Sequence, residues 1–67
     1  MDLVLNGEAY RAGFESGTLI TLLEELDRHP RTVAVELNGE IVPRAHFADQ
    51  ELRAGDRLEI VQFVQGG

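Results

Sequence analysis

A chain of 67 residues has room for one small domain, and a domain of this size buries only about 60% of the surface its unfolded chain exposes, so a deep enclosed catalytic cavity is not expected. There is no Cys, which excludes disulfides, iron–sulfur clusters, Cys-based zinc sites and thiol chemistry. Twelve acidic residues against six basic ones give a net charge of -6, a balance that repels phosphate backbones and argues against nucleic acid as a partner.

Asp2-Leu3-Val4-Leu5 opens the chain as a short strand, and Asn6-Gly7 is a two-residue hairpin signal, because a type I′ turn needs positive φ at both positions. Glu8 to Ala12 returns as a second strand containing Tyr10. Ser16-Gly17-Thr18 reads as a loop and helix start with Thr18 at the N-cap. Leu19, Leu22, Leu23 and Leu26 then recur at helical spacing, widened by Ile20, while Thr21, Glu24, Glu25 and Asp27 take the solvated side. Arg28 and His29 suit the negative end of the helix dipole, and Pro30 is the expected stop.

From Thr32 to Leu37 the chain alternates, with Val33, Val35 and Leu37 on one face and Ala34 and Glu36 on the other. Asn38-Gly39 is a second hairpin turn, Glu40-Ile41-Val42 the returning strand, and Pro43 its end. Arg44 to Gln50 reads as irregular chain or a short helical turn anchored by Phe47, and Ala54-Gly55-Asp56 as a turn. Arg57 to Phe63 is the last strand, with Leu58 and Ile60 inward and Arg57, Glu59, Val61 and Phe63 outward. Two strands, a helix and three more strands predict an α+β fold: a mixed sheet of four to five strands packed on one helix, with the first and last strands parallel at its centre, the β-grasp arrangement. A different small α+β roll is the alternative. The expected organisation is a single domain over 1–67 with a flexible tail from about residue 64.

Gly66 and Gly67 close the sequence directly after the last strand. Such a pair is compatible with a frayed end. It also makes a thin tether, since glycine has no Cβ and an extended Val64–Gly67 reaches about 13 Å into a narrow channel. Val61, Phe63 and Val64 beside it form a candidate docking patch, with ordinary sheet surface as the plainer reading. His29 and His46 lie in separate loops and suit surface or capping roles. Glu24, Glu25 and Asp27 read as a solvated helix face, with acidic contacts to a basic partner as the alternative. No phosphate-cradling loop, nucleophile elbow or metal-ligand spacing occurs, so no catalytic or metal residues are assigned. All six basic residues are Arg, so the chain offers no side-chain amine. No apolar run spans a bilayer and no signal-peptide pattern opens the chain, so a cytoplasmic location without membrane association is expected.

The helix TLITLLEELD, the stretch VAVELNGEIVPR from Val33 to Arg44, the turn AGDRLEIV and the ending VQGG resemble the ThiS family of sulfur carriers of thiamine biosynthesis, over essentially the whole chain. Phe47 stands where that family often has Trp. The molybdopterin-synthase small subunit is a related family, but tends to be longer, with a proline-containing run before its glycines; Gln62-Phe63-Val64-Gln65 takes that place here. The resemblance implies a ubiquitin-like β-grasp and a carrier that is a protein co-substrate and not an enzyme. It implies that a ThiF-like enzyme adenylates the carboxylate of Gly67 with ATP, that Gly66 serves as tether, and that a sulfur donor such as a cysteine desulfurase converts the adenylate to a thiocarboxylate. Thiazole synthase, a ThiG-like partner, would take that sulfur; no bound cofactor is implied. A carrier for another pathway, a ubiquitin-like modifier of target lysines and an inert β-grasp module are the alternatives.

Overall fold

Five strands form one sheet in the order β2-β1-β5-β3-β4, with α1 across one face, in a computed structural model that describes residues 1–63. The strands are β1 (Asp2–Leu5), β2 (Glu8–Arg11), β3 (Val33–Leu37), β4 (Glu40–Ile41) and β5 (Arg57–Gln62); α1 is Leu19–Glu25. β1 and β5 run parallel at the centre, with Val4 opposite Arg57 and Leu5 opposite Leu58. β3 pairs antiparallel with β5 from Val33↔Gln62 to Leu37↔Leu58. This is the β-grasp topology that the order of elements predicts.

Both Asn-Gly pairs adopt the expected geometry, with φ of 50° and 83° at Asn6 and Gly7 and 53° and 88° at Asn38 and Gly39. They do more than turn the chain. Asn6 Oδ1 accepts from the Ile60 amide at 2.7 Å and its Nδ2 donates to the Ile60 carbonyl at 3.3 Å, which prolongs the β1–β5 pairing by a side chain. Asn38 Oδ1 accepts from the Arg57 amide at 3.0 Å, and its Nδ2 donates to Asp56 Oδ1 at 3.1 Å. Each hairpin turn is therefore fastened to the central strand, a role that turn chemistry alone does not announce.

Thr18 occupies the N-cap in extended conformation, its amide donating to Thr21 Oγ1 at 3.1 Å. The other end of α1 corrects the sequence expectation. The helix closes at Leu26, before Pro30, because Asp27 takes φ of 57°. The Arg28 amide then donates to the Leu23 carbonyl at 2.8 Å and the Asp27 amide to the Glu24 carbonyl at 3.1 Å, a Schellman motif with Asp in place of the usual Gly. Arg28 and His29 thus lie beyond the helix, and Pro30 opens a separate 3-10 turn, Pro30–Thr32.

Leu19, Leu22 and Leu23 of α1 are fully buried against Val33, Val35 and Leu58 of the sheet, as their spacing predicts. Leu26, Leu37 and Ile60 pack at the margin of this core and stay partly exposed. Met1, Leu3, Ala12, Val42, Phe47 and Leu52 complete it. Strand ends differ by one residue from the sequence reading: Ala12, Val42 and Phe63 fall outside their strands. Pro43 limits β4 to two residues, leaving the Val42 amide to Val35 carbonyl bond at 2.9 Å as the last rung. Among the described residues, no helix is long and apolar enough to cross a membrane.

Candidate functional site

The face of the sheet turned away from α1 carries an apolar patch at the end where β5 finishes. Alternation along β5 sends Leu58 inward and Val61 outward, and Val61 is 60% exposed. Its cross-strand partner on β3 is Ala34, too small to cover it. Ile41 on β4, opposite Glu36, lies on the same face and is 75% exposed. A 110 Å³ depression lined by Ala34, Glu36, Ile41, Glu59 and Val61, with Val35, results. Phe63, 42% exposed, follows the strand and shares a neighbouring 200 Å³ groove with Ile41, Pro43 and Arg44. The Phe63 amide donates to the Thr32 carbonyl at 2.8 Å, which holds this position against the sheet end.

Val61 faces outward, as the alternation predicts, whereas Phe63 lies past the end of β5 in an adjoining groove that Val33, Val35, Val42 and Phe47 also line. Val64, Gly66 and Gly67, and the flexible tail expected from residue 64, lie outside the described residues. Ile41 is the residue that the sequence reading missed. The signal was available: a two-residue hairpin pairs Leu37 with Glu40 and Glu36 with Ile41, so Ile41 must share the outward face of Glu36.

The histidines do not meet. His29 caps the Pro30–Thr32 turn, its Nδ1 accepting from the Arg31 amide at 3.1 Å, and His46 sits exposed in a second 3-10 turn, Arg44–His46. Among the described residues no cluster of three or more His, Asp or Glu is placed to hold a metal.

Glu25 is not simply a solvated helix residue. Its carboxylate accepts from the Tyr10 hydroxyl on β2 and, at 2.9 Å, from the Gly13 amide. A Cβ at Gly13 would stand 3.0 Å from Glu25 Oε1, so the glycine admits the carboxylate. The Tyr10 hydrogen bond, then the Gly13 amide and the N-terminal ammonium, hold the Glu25 carboxyl below its ordinary range. The same bond, with partial burial and the Glu25 charge, raises the Tyr10 phenol. Glu25 thus binds fewer protons folded than unfolded at acid pH, and its contribution is lost as pH falls through the depressed folded value. Tyr10→Phe is expected to move the Glu25 carboxyl back up in a carbon-NMR titration and to leave acid unfolding less dependent on it. An unmoved Glu25 titration would refute that link.

The sequence model of the ThiS family matches residues 3–67. The sulfur carrier protein ThiS of Escherichia coli is 31% identical over 67 residues, covering all of both chains. A thiazole synthase of Paramagnetospirillum magneticum is 49% identical over 67 residues, but the whole of this chain spans only 20% of its length. The crystal structure of a thiamine biosynthesis protein, ThiS, from Geobacter metallireducens superposes with a TM-score of 0.84 at 36% identity, covering 100% of both chains. Matching over nearly every residue, with the parallel β1–β5 centre and a single crossing helix, the chain belongs to the ThiS family.

Proposed function

We propose that this protein is a sulfur carrier of thiamine biosynthesis, a co-substrate whose Gly67 carboxyl is activated and loaded with sulfur. Membership of the ThiS family carries the reading. The exposed Val61–Phe63 surface at the end of β5 supports it, since a carrier needs a place for a partner to grip beside its tail.

A carboxylate is a poor electrophile, and sulfur cannot displace oxide from it directly. In the proposed first step a Gly67 carboxylate oxygen attacks the α-phosphorus of ATP on a ThiF-like adenylating enzyme. Pyrophosphate leaves, and AMP becomes the leaving group on the carbonyl carbon. The terminal sulfur of a persulfide on a donor such as a cysteine desulfurase attacks the carbonyl carbon and expels AMP, giving an acyl disulfide. A thiol then reduces its S–S bond and is itself oxidised to a disulfide, leaving a thiocarboxylate whose soft, ionised sulfur is a strong nucleophile at neutral pH. The carrier supplies the carboxyl, the Gly66 tether and the docking surface. The ThiS-like segment of the P. magneticum thiazole synthase supports a thiazole synthase as sulfur acceptor.

Intact mass after incubation with the adenylating enzyme, ATP and a sulfur source tests the reading. Replacement of one oxygen by sulfur is expected. A ladder of conjugates would mark a protein modifier, and an unchanged mass an inert module.

Val61, Phe63 and Val64 are the proposed docking residues. Phe63→Asp places a charge where the partner surface must be dry, and is expected to weaken binding to the adenylating enzyme at least tenfold with an unchanged melting temperature. Undiminished affinity in a calorimetric titration would remove Phe63 from the interface.

A further inference from the structure

Of the five arginines that have no carboxylate oxygen within 4.0 Å among the described residues, three cluster where β5 finishes, while Arg53 and Arg57 lie at the strand's other end. Arg28, Arg31 and Arg44 are all exposed there. The Schellman turn delivers Arg28 to β5, where its guanidinium donates to Gln62 Oε1. Arg44 reaches back across the sheet end, its Nε donating to the Pro30 carbonyl at 3.1 Å. Arg31 lies between them in the Pro30–Thr32 turn. The acceptors recorded for Arg28 and Arg44 are uncharged, and among the described residues none of the three arginines has a carboxylate oxygen within 4.0 Å; the one ion pair, Asp2–Arg11, lies on the β1–β2 hairpin. Lack of an ion pair is shared with Arg53 and Arg57, so what distinguishes Arg28, Arg31 and Arg44 is that they gather around one turn beside an apolar groove.

The apolar patch adjoins it, since Arg44 lines the same groove as Phe63 and Ile41. At the patch's other limit the outward face carries Glu36 directly opposite Glu59. Like charges in that register weaken a sheet. Along β5 the outward face thus runs from Arg57 through the Glu36–Glu59 pair to apolar side chains, with the three clustered arginines beyond the strand's end. A single phosphate would need the cations to converge, and these instead flank the Pro30–Thr32 turn on both sides.

We propose that Arg28, Arg31 and Arg44 form a cationic collar around the exit of β5 that engages a carboxylate-rich rim on the adenylating enzyme, and that the Glu36–Glu59 pair repels the same rim and so permits one docking orientation. This deepens the carrier reading and rests on it. Complementary charge of this kind acts mainly on association rate and on wrong encounters.

The test is stopped-flow association of the full chain with the adenylating enzyme at about 0.05 M and about 0.5 M salt. Arg28→Gln/Arg44→Gln is expected to slow association about tenfold at low salt and to lose most of that effect at high salt. Arg28→Lys/Arg44→Lys, which keeps the charge, should restore the rate to within about twofold, which a purely structural role for the two hydrogen bonds would not allow. Arg11→Gln/Arg53→Gln makes the same change in net charge away from the collar and should leave the rate nearly unchanged. Equal rates for the collar variant and wild type, or equal slowing by both pairs, overturns the collar. ATP–pyrophosphate exchange with saturating wild-type chain is run beside it: normal exchange with an unaffected collar variant rejects the collar alone, whereas no exchange by wild type rejects the carrier reading and the collar with it.

Discussion

Deleting Gly67 is expected to lower ATP–pyrophosphate exchange by the adenylating enzyme by orders of magnitude while the melting temperature stays where it was. The shortened chain still offers an α-carboxylate of ordinary chemistry. It is displaced by one residue, about 3.5 Å, and in-line attack on phosphorus does not tolerate a shift of that size. The described core ends before this segment, so folding has no reason to respond. Gly66→Val should also fail, by a different route, because a β-branched side chain stiffens the backbone and widens the tether. Wild-type exchange and thiocarboxylate formation by the Gly67 deletion would refute the mechanism.

Leu23→Ala is expected to destabilise the fold by about 2–5 kcal/mol, read as a drop in urea midpoint at constant slope. Leu23 is 1% exposed and lies beneath the sheet centre. Its carbonyl also receives the Arg28 amide that ends α1, so relaxation of the helix around the cavity is restrained at that turn. A domain of this size holds only about 5–15 kcal/mol in total, and the variant would approach the threshold of folding. Ile20→Ala, at a half-buried position on the same helix, should cost distinctly less. Equal losses at both would mean that α1 does not pack as described.

What the sequence discloses about this fold is what repeats or punctuates locally. Leucines at helical spacing, two Asn-Gly turns and the alternation from Val33 to Leu37 are local signals, and they place α1, both hairpins and the inward face. Val61 follows from the same alternation on β5, while Phe63 lies one residue past its end. What escapes is joined over long separations. The Tyr10–Glu25 bond links β2 to α1, and no neighbouring residue hints at it. Asn6 serves the Ile60 backbone 54 residues away, so its turn role conceals its second task. Asp27 in a conformation that favours glycine is a decision of the α1 terminus, which Pro30 masks in the sequence. Ile41 was within reach of register counting but not of hydropathy, because β4 is two residues long and both are exposed.

The middle strand of the sheet is the last of the described strands in chain order. Until β5 enters between β1 and β3, the two hairpins have no sheet contact with each other, and neither Asn6 nor Asn38 has its distant partner. Joining β1 to β5 closes a separation of 54 residues at Asn6–Ile60, whereas β3 and β5 pair over a much shorter stretch, so the long closure falls on the parallel centre of the sheet. Val61 meets Ala34 only through that insertion. A nascent or partly unfolded chain consequently lacks the surface itself, so the docking proposed there would distinguish finished molecules from unfinished ones without any separate inspection step.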